Sequence, residues 1–293
     1  MAISIATPSF LGKQNILNLL RQSSIIGIIS AGMTFVIISG NFDISVGAVA
    51  ALAGAITMKF ATGGTNLFAS MLLGIAICAV IGLINGIVVA KINVPSLIAT
   101  MAMVTIVRGL LLMLTGGYPI TENIPILDYI GNGYLFNIPI PVVIFFIVVL
   151  ASFIVLNKTK FGRYVYSVGG NQEASKLNGI NVDSHKVKVF IINAVLAGIA
   201  GIVLTGRLGT ATAIAGEGYD MDAIASVVIG GTSVAGGSGS VLKTVIGVLL
   251  MSVINNSFNL LGIDVYFQYI FKGLIILAAV GFDSYSKKKL ASR

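Results

Sequence analysis

The sequence predicts an all-α fold, a polytopic helical bundle in a membrane, from three observations. Hydrophobic residues make up 56% of the 293 residues, and the mean hydropathy is +1.01. Charged residues are only 10%, whereas soluble domains contain about 25%. The apolar residues are gathered in runs long enough to cross a bilayer, so we expect about 8–10 transmembrane segments in a single domain over residues 1–293.

Eight long apolar stretches are the predicted spans. They cover residues 16–39, 44–58, 67–90, 97–114, 140–156, 189–205, 241–261 and 267–280. A ninth stretch, 223–234, is short and bounded by glycines, which suits a broken or re-entrant helix better than a full crossing.

Lysine and arginine set the predicted orientation, because they accumulate on the cytoplasmic side of membrane proteins. Residues 115–138 contain neither, so we place this loop outside. Residues 157–188 hold six basic residues, so we place them inside as a cytoplasmic loop, together with the tail that carries Lys287, Lys288, Lys289 and Arg293. This bias explains the net charge of +8, so nucleic acid is not an expected partner.

Counting the predicted spans back from the loop at 115–138 puts the first residue of the chain outside. It therefore predicts either an additional helix upstream or one apolar segment that does not cross. No cleavable signal peptide is recognisable in the first 13 residues, so we expect insertion to rely on the first spanning segments.

Two pairs of polar residues suggest a two-fold internal repeat. Asp43 and Asp222 each open a short apolar segment rich in small residues. Asn85 and Asn255 follow in the same order and at similar distances along the chain. Many transporters are built from such repeats, although apolar glycine-rich segments also resemble one another by chance.

The motif around Asp43 is a candidate for the permeation path. Asn41 and Ser45 flank this carboxyl group between two apolar segments, and an acid at membrane depth is functional by default. Asp43 is also expected to cap the helix that begins at Ile44, by accepting backbone N–H bonds. The two roles are compatible, because the ends of half-helices can border a path.

The second candidate follows Asp222, where a half-helix ends in a break rich in glycine, serine and threonine. Such a break exposes backbone groups that lipid cannot satisfy, and it would suit a polar, uncharged solute. The alternative is a tight connection between helices. The break contributes four candidate path residues, Gly230, Gly231, Thr232 and Ser233.

Further polar residues lie inside the predicted spans. Asn85, Asn255 and Asn256 complete the candidate path, although interhelical hydrogen bonds explain most such asparagines. Arg108 lies near a helix end, and we expect its side chain to snorkel toward the membrane surface.

No motif for nucleotide hydrolysis or metal binding is present in the sequence. Residues 236–244 end in Lys-Thr like a phosphate-binding loop, but Leu242 stands where that loop needs a glycine before Lys243. Cys78 and His185 are each the single residue of their type, which argues against a metal site. The chain is therefore not expected to be an enzyme or to hold a cofactor.

One stretch inside residues 157–188 has the signature of a short, rigid helix. Asn171 is a plausible N-cap, residues 172–178 form two turns, and Gly179 supplies a left-handed stop. A rigid knob on a membrane domain suits docking into a groove of another protein. The alternative is a long, solvated connector.

The chain resembles the membrane subunits of bacterial ATP-binding-cassette (ABC) importers for monosaccharides, and the ribose type most. The resemblance rests on residues 32–54 (GMTFVIISGNFDISVGAVAALAG), 161–182 (FGRYVYSVGGNQEASKLNGINV), 218–240 (GYDMDAIASVVIGGTSVAGGSGS) and 255–279 (NNSFNLLGIDVYFQYIFKGLIILAA). These segments extend over nearly the whole chain in the family's order. They are specific for the family and discriminate poorly among sugars.

The resemblance implies a multi-pass subunit of the bacterial cytoplasmic (inner) membrane. Its partners would be a second permease copy, a cytoplasmic ATPase that binds ATP and Mg²⁺, and an extracytoplasmic sugar-binding protein. Glu173, Ala174 and Gly179 match the family's ATPase-coupling segment, and Ser175 replaces its second alanine. Family members usually carry one further helix before the stretch that matches residues 7–22.

Two other functions stay open at this point. One is a branched-chain amino-acid permease of the same superfamily, and the other is a self-sufficient secondary sugar carrier. The residues quoted do not contain a chain of buried acids and histidines for proton relay, which counts against the second.

Overall fold

The computed structural model describes residues 8–291, with the backbone alone for residues 8–9 and 282–291. After a 3₁₀ turn at Pro8–Leu11, the described chain forms twelve α-helices. These are α1 (Lys13–Ile38), α2 (Val46–Thr62), α3 (Leu67–Ala90), α4 (Ser96–Thr115), α5 (Pro125–Asn132), α6 (Ile140–Lys158), α7 (Lys160–Gly170), α8 (Gln172–Leu177), α9 (Val182–Leu208), α10 (Tyr219–Ile229), α11 (Val241–Leu260) and α12 (Val265–Ala291). The basic tail used for orientation lies outside the described side chains.

Two short antiparallel strand pairs accompany the helices. β1 (Ile120–Thr121) pairs with β4 (Thr210–Ala211), and β2 (Tyr134–Leu135) pairs with β3 (Ile138–Pro139). The first pair joins the loop at 115–138 to the end of α9. We call this end of the bundle the outer end, and the opposite end, which holds α7 and α8, the inner end.

The helix count agrees with the predicted polytopic membrane bundle. Six described helices, α1, α3, α4, α6, α9 and α11, are long and apolar enough to cross a membrane. Two shorter apolar helices, α2 and the 265–281 part of α12, bring the number to eight. Each of these eight overlaps one of the eight stretches predicted from sequence.

The stretch 157–188 is mostly helical, because α7 and α8 lie within it and the first turns of α9 belong to it. α6 continues to Lys158, and α9 begins at Val182, seven residues before the predicted span. Polar caps explain the difference, because the side chains of Thr159, Asn171 and Asn181 each accept a backbone N–H in the first turn of the following helix.

Helix α9 forms the centre of the bundle, where it packs along α3, α2 and α1. Small residues let the helices approach closely. Gly201 lies against the carbonyl oxygen of Ala50, and Gly54 lies against Thr205. From the first contact to the second, the residue numbers increase along both helices. α2 and α9 therefore run parallel, from the inner end to the outer end.

The short helix α10 completes a crossing of the bundle. The chain leaves α9 at the outer end, pairs through β4, and enters α10 at Tyr219. After α10, Gly237 donates its backbone N–H to the carbonyl oxygen of Ile38 (2.8 Å) and lies beside Gly170 at the inner end. The segment therefore contains a half-helix, as the sequence suggested, but it crosses the bundle and does not re-enter.

The two halves of the chain have inverted topology. α2 runs toward the outer end, whereas α10 runs toward the inner end. In the first half Asn85 bonds to Ser45 beside Asp43, and in the second half Asn255 bonds to Asp222. The residues that suggested a repeat thus occupy matching places, which is the arrangement of an inverted transporter repeat.

Substituting Gly201 with alanine tests the close packing of α9 on α2. The added methyl group would overlap the carbonyl oxygen of Ala50, so we expect a loss of roughly 1–3 kcal/mol in stability. Gly109→Ala in α4 is the matched control, because its added methyl group meets nothing within 4 Å. Thermal unfolding midpoints of the two purified variants in detergent provide the comparison. Equal midpoints would contradict the packing described.

Candidate functional site

Asp43 lies in the break between α1 and α2 and is only 1% exposed. Its Oδ1 accepts hydrogen bonds from the backbone N–H of Ser45 (2.9 Å) and from the Ser45 hydroxyl. Its Oδ2 accepts a hydrogen bond from Nδ2 of Asn193 on the central helix α9 (2.9 Å). The carboxyl group therefore ties the break to the centre of the bundle.

Neighbouring side chains bond to further groups of this break. The backbone N–H of Phe42 donates to Ser96 Oγ (3.1 Å), and that of Ile44 donates to Thr100 Oγ1 (3.2 Å). Asn85 Nδ2 donates to Ser45 Oγ (3.1 Å). These bonds replace the water that a membrane interior lacks.

The structure corrects the predicted cap at Asp43. Helix α2 begins at Val46 rather than Ile44, and its N-cap is Ser45, whose side chain makes no capping bond. Asp43 does accept one backbone N–H, but this N–H belongs to the N-cap residue itself. Asp43 therefore shapes the turn that precedes the helix.

Asp222, in the first turn of α10, forms an ion pair that the sequence analysis missed. Lys272 Nζ lies 2.9 Å from Asp222 Oδ1, and it donates a hydrogen bond to Oδ2 (3.0 Å). Asn255 Nδ2 also points at Oδ2, at 3.4 Å. Lys272 lies in the predicted span 267–280, and a lysine inside an apolar run is the signal that could have revealed it.

The break from Gly230 to Ser240 is a tight connection between helices at the inner end. Thr232 and Ser233 are buried, and Gly231 has a left-handed φ of +82°. The backbone N–H of Ser233 donates to the carbonyl oxygen of Ser238 (3.0 Å). Protein therefore satisfies the backbone N–H of Ser233, whereas the buried hydroxyl of Thr232 has no hydrogen-bond partner in the described part of the chain.

Helix α7 contacts the break at 230–240, which we call the second break; the break between α1 and α2 is the first. The Tyr166 hydroxyl donates to the carbonyl oxygen of Gly239 (2.9 Å). Burial raises the pKa of the Tyr166 phenol above its usual value, so the phenol stays protonated and keeps donating at neutral pH. Gly169 packs against the end of α1 at Ile38. At the inner end of the bundle, α7 therefore contacts both breaks.

Two further asparagines of the predicted path make local or interhelical bonds. Asn41 Nδ2 donates to the carbonyl oxygen and hydroxyl of Ser39, both at 3.1 Å. Asn256 and Asn15 exchange two amide hydrogen bonds between α11 and α1 (2.9 and 3.0 Å).

A cavity of about 640 Å³ opens toward the outer half of the bundle, between α2, α4 and α12. None of the predicted path residues lines it. Its polar lining consists of Thr105, Arg108, Glu217, Asp220 and Tyr269.

Arg108 points into this cavity, so the prediction that it snorkels is wrong. Its Nη1 donates to the carbonyl oxygens of Ala213 and Ala215, the latter at 3.1 Å. These carbonyl groups belong to the irregular segment before α10, which exposes acceptors that a helix would satisfy internally. Arg108 therefore bonds to protein groups instead of extending along the helix to water.

The predicted helix that begins after Asn171 is present as α8. Asn171 Oδ1 accepts the backbone N–H of Ala174 (2.9 Å), and Gly179 adopts a left-handed φ of +77°, as predicted. The helix ends at Leu177, one residue earlier than predicted. Glu173 is exposed, and its carboxylate lies 3.9 Å from the amine of Lys176.

Ser175 and Leu177 give α8 two properties that the sequence analysis missed. Ser175 is buried, and its hydroxyl lies 2.9 Å from that of Ser167, so it bonds α8 to α7. Leu177 is 89% exposed at the end of a polar helix. This apolar side chain is therefore available for contact with a partner.

The described residues contain no group of three histidine, cysteine, aspartate or glutamate side chains placed to hold a metal ion. Cys78 is buried in α3. His185 is exposed on α9, where its Nδ1 lies 2.8 Å from the carbonyl oxygen of Asn181.

Comparison with known proteins places these features in a family. Residues 15–280 match the family described as branched-chain amino acid transport system / permease component. The ribose import permease protein of Haemophilus influenzae is 43% identical, over 98% of this chain and 91% of that protein. The ribose import permease protein of Bacillus subtilis is 44% identical, over 96% and 88%.

A more distant relative carries a different sugar in its name. The xylose transport system permease protein of Haemophilus influenzae is 35% identical, over 98% of this chain and 93% of that protein. No solved structure is significantly similar to this chain.

Proposed function

Because the chain belongs to the family of branched-chain amino acid transport system permease components, we propose that it is the permease subunit of an ABC-type sugar importer, with ribose as its sugar. The observation that carries this proposal is the identity of 41–44% to ribose import permease proteins over nearly the whole chain. The chain itself is a multi-pass membrane protein and a transport subunit rather than an enzyme.

The partners follow from what this chain lacks and what it exposes. Its sequence has no phosphate-binding loop, so ATP and Mg²⁺ would be bound by a separate cytoplasmic ATPase. The segment predicted for coupling, Asn171, Glu173, Ala174, Ser175 and Gly179, would dock into that ATPase through its exposed residues and the exposed Leu177, with the inner end in the cytoplasm. An extracytoplasmic sugar-binding protein would meet the outer end, and the host membrane would be the bacterial inner membrane.

The inner end offers a route from the docked helix to both breaks. α8 is bonded to α7 through Ser175 and Ser167. α7 in turn contacts the second break through Tyr166, and Gly169 contacts the end of α1. A displacement of α8 by the ATPase would therefore reach both breaks through direct contacts.

The residues predicted for the substrate path would frame the path in this scheme. Buried groups such as Asp43 and Asn85 would hold the first break, while Asp222 and Asn255 would hold the start of α10, the helix that leads into the second break. When side chains hold their ends in this way, half-helices can shift as units around a fixed binding site. A second copy of the chain would complete the path.

Import of branched-chain amino acids is the second candidate function, because the family description names that substrate class. It differs in chemistry, since a zwitterion needs paired charges whereas a sugar needs hydrogen-bonding groups. The identities to ribose import permease proteins favour the sugar.

Uptake of labelled ribose by cells that express this chain with its ATPase and binding protein tests the substrate. We expect ATP-dependent uptake that excess unlabelled ribose abolishes and excess leucine leaves unchanged. Uptake of labelled leucine by the same cells, with none of labelled ribose, would support the amino-acid function. Uptake by the purified chain in liposomes without ATPase would support a secondary carrier.

A double substitution in α8 tests the coupling role. Glu173→Lys with Gly179→Pro reverses an exposed charge and removes the left-handed stop. We expect at least a tenfold loss of ribose uptake and of ATPase copurification, with the protein still present in the membrane. The control is Glu122→Lys, a charge reversal in the outer loop, which should retain the ATPase. Normal uptake by the double variant would contradict the role.

A further inference from the structure

The cavity between α2, α4 and α12 has the size of a small-molecule site. Its volume of about 640 Å³ falls within the roughly 300–1,000 Å³ that such sites occupy. A second space of about 340 Å³ lies on the other side of Tyr269 and shares Glu217, Gly218 and Met221 with the first. Gln268 and Lys272 line this second space, so polar groups continue along α12.

Charged groups of opposite sign face this cavity without touching. Arg108 on α4 is half-buried and lies within electrostatic reach of Glu217 and Asp220. No ion pair within 4 Å joins these three side chains, all of which belong to the described part of the chain. Neither carboxylate is therefore neutralised by a direct ion pair with Arg108, and both line the cavity.

The cavity also has an aromatic wall. Tyr269 is 55% exposed and separates the two spaces. An aromatic face beside convergent polar groups is the usual lining of a site for a small polar molecule with apolar C–H faces. A monosaccharide has this mixture, because its hydroxyl groups lie around a ring that carries C–H bonds on each face.

The position of the cavity in the fold fits a transport site. α4 and α12 are the last helices of the two inverted halves, and the half-helix α10 begins between them at Tyr219. Transporters bind substrate where inverted repeats meet, beside the ends of discontinuous helices. Arg108 lies seven residues before the end of α4, a depth of about 10 Å at the rise of an α-helix.

We infer that this cavity is the sugar-binding vestibule of the permease. Arg108, Glu217 and Asp220 bind sugar hydroxyl groups, and Tyr269 stacks on the sugar ring. Arg108 also holds the irregular segment before α10 in place through its bonds to Ala213 and Ala215. The identity of the solute as a sugar rests on the proposed function.

Cysteine labelling tests whether the cavity is open to water, independently of the solute. The native Cys78 is buried, so a membrane-impermeant charged maleimide should react with introduced thiols only. We expect Thr105→Cys, in the cavity, to react at least tenfold faster than Val80→Cys, which is 53% exposed on the apolar face of α3. The complete importer is labelled during turnover. Equal labelling rates for the two variants would overturn the assignment of the cavity as a vestibule.

Uptake and ATP hydrolysis together test the sugar-binding residues. We expect Asp220→Asn and Tyr269→Ala to lower ribose uptake at least fivefold, while sugar-loaded binding protein still stimulates ATP hydrolysis by the reconstituted complex. Tyr266→Ala is the control, because Tyr266 is 78% exposed on α12 outside the cavity. Unchanged uptake in both variants, or loss of uptake together with hydrolysis, would overturn the assignment.

The two proposals fail in different ways. If the unsubstituted importer takes up no ribose but Thr105→Cys is labelled rapidly, the vestibule stands and ribose is the wrong solute. If ribose is transported but Thr105→Cys reacts as slowly as Val80→Cys, the importer function stands and the vestibule is wrong.

Discussion

The absence of water inside a bilayer is the constraint on which the rest of this structure depends. A helix that stops at membrane depth leaves backbone groups that only protein can satisfy. The chain stops twice in this way, between α1 and α2 and around α10. At the first break the side chains of Asp43, Ser96 and Thr100 each accept a backbone N–H. The bundle can therefore contain broken helices without exposing their ends to lipid.

The two buried acids, Asp43 before α2 and Asp222 in the first turn of α10, are stabilised by different chemistry. Asp43 is bonded to neutral groups, and Asn193 connects it to the central helix α9. Asp222 is instead paired with Lys272 on α12, a helix that packs mainly on α10. The first break is thus anchored to the middle of the bundle, whereas the start of α10, which leads into the second break, is joined to α12. This difference accompanies the inverted topology of the two halves.

The sequence predicted those features that depend on neighbours along the chain. Apolar runs predicted the spans, and Asn171 and Gly179 predicted the limits of α8, because caps and left-handed stops are local. The start of α9 at Val182 was missed, because composition marks the apolar part of a helix and not its polar first turns. The break at 230–240 was predicted, but not which of its two interpretations applies.

Contacts between distant residues could not be predicted. Nothing in the sequence pairs Asp43 with Asn193 or Asp222 with Lys272, since each pair is brought together by packing of separate helices. The direction of Arg108 was misjudged for the same reason, because its acceptors at Ala213 and Ala215 exist only where the chain is irregular. The cavity lies among such long-range neighbours.

A double-mutant cycle between Asp43 and Asn193 is the most direct test of the claim that side chains hold the first break. Stability would be measured by thermal unfolding for Asp43→Ala, Asn193→Ala and the double variant. Because the two groups bond at 2.9 Å, the account predicts an interaction energy within the roughly 0.5–3 kcal/mol found for residues in contact. Additive effects of the two substitutions would contradict it.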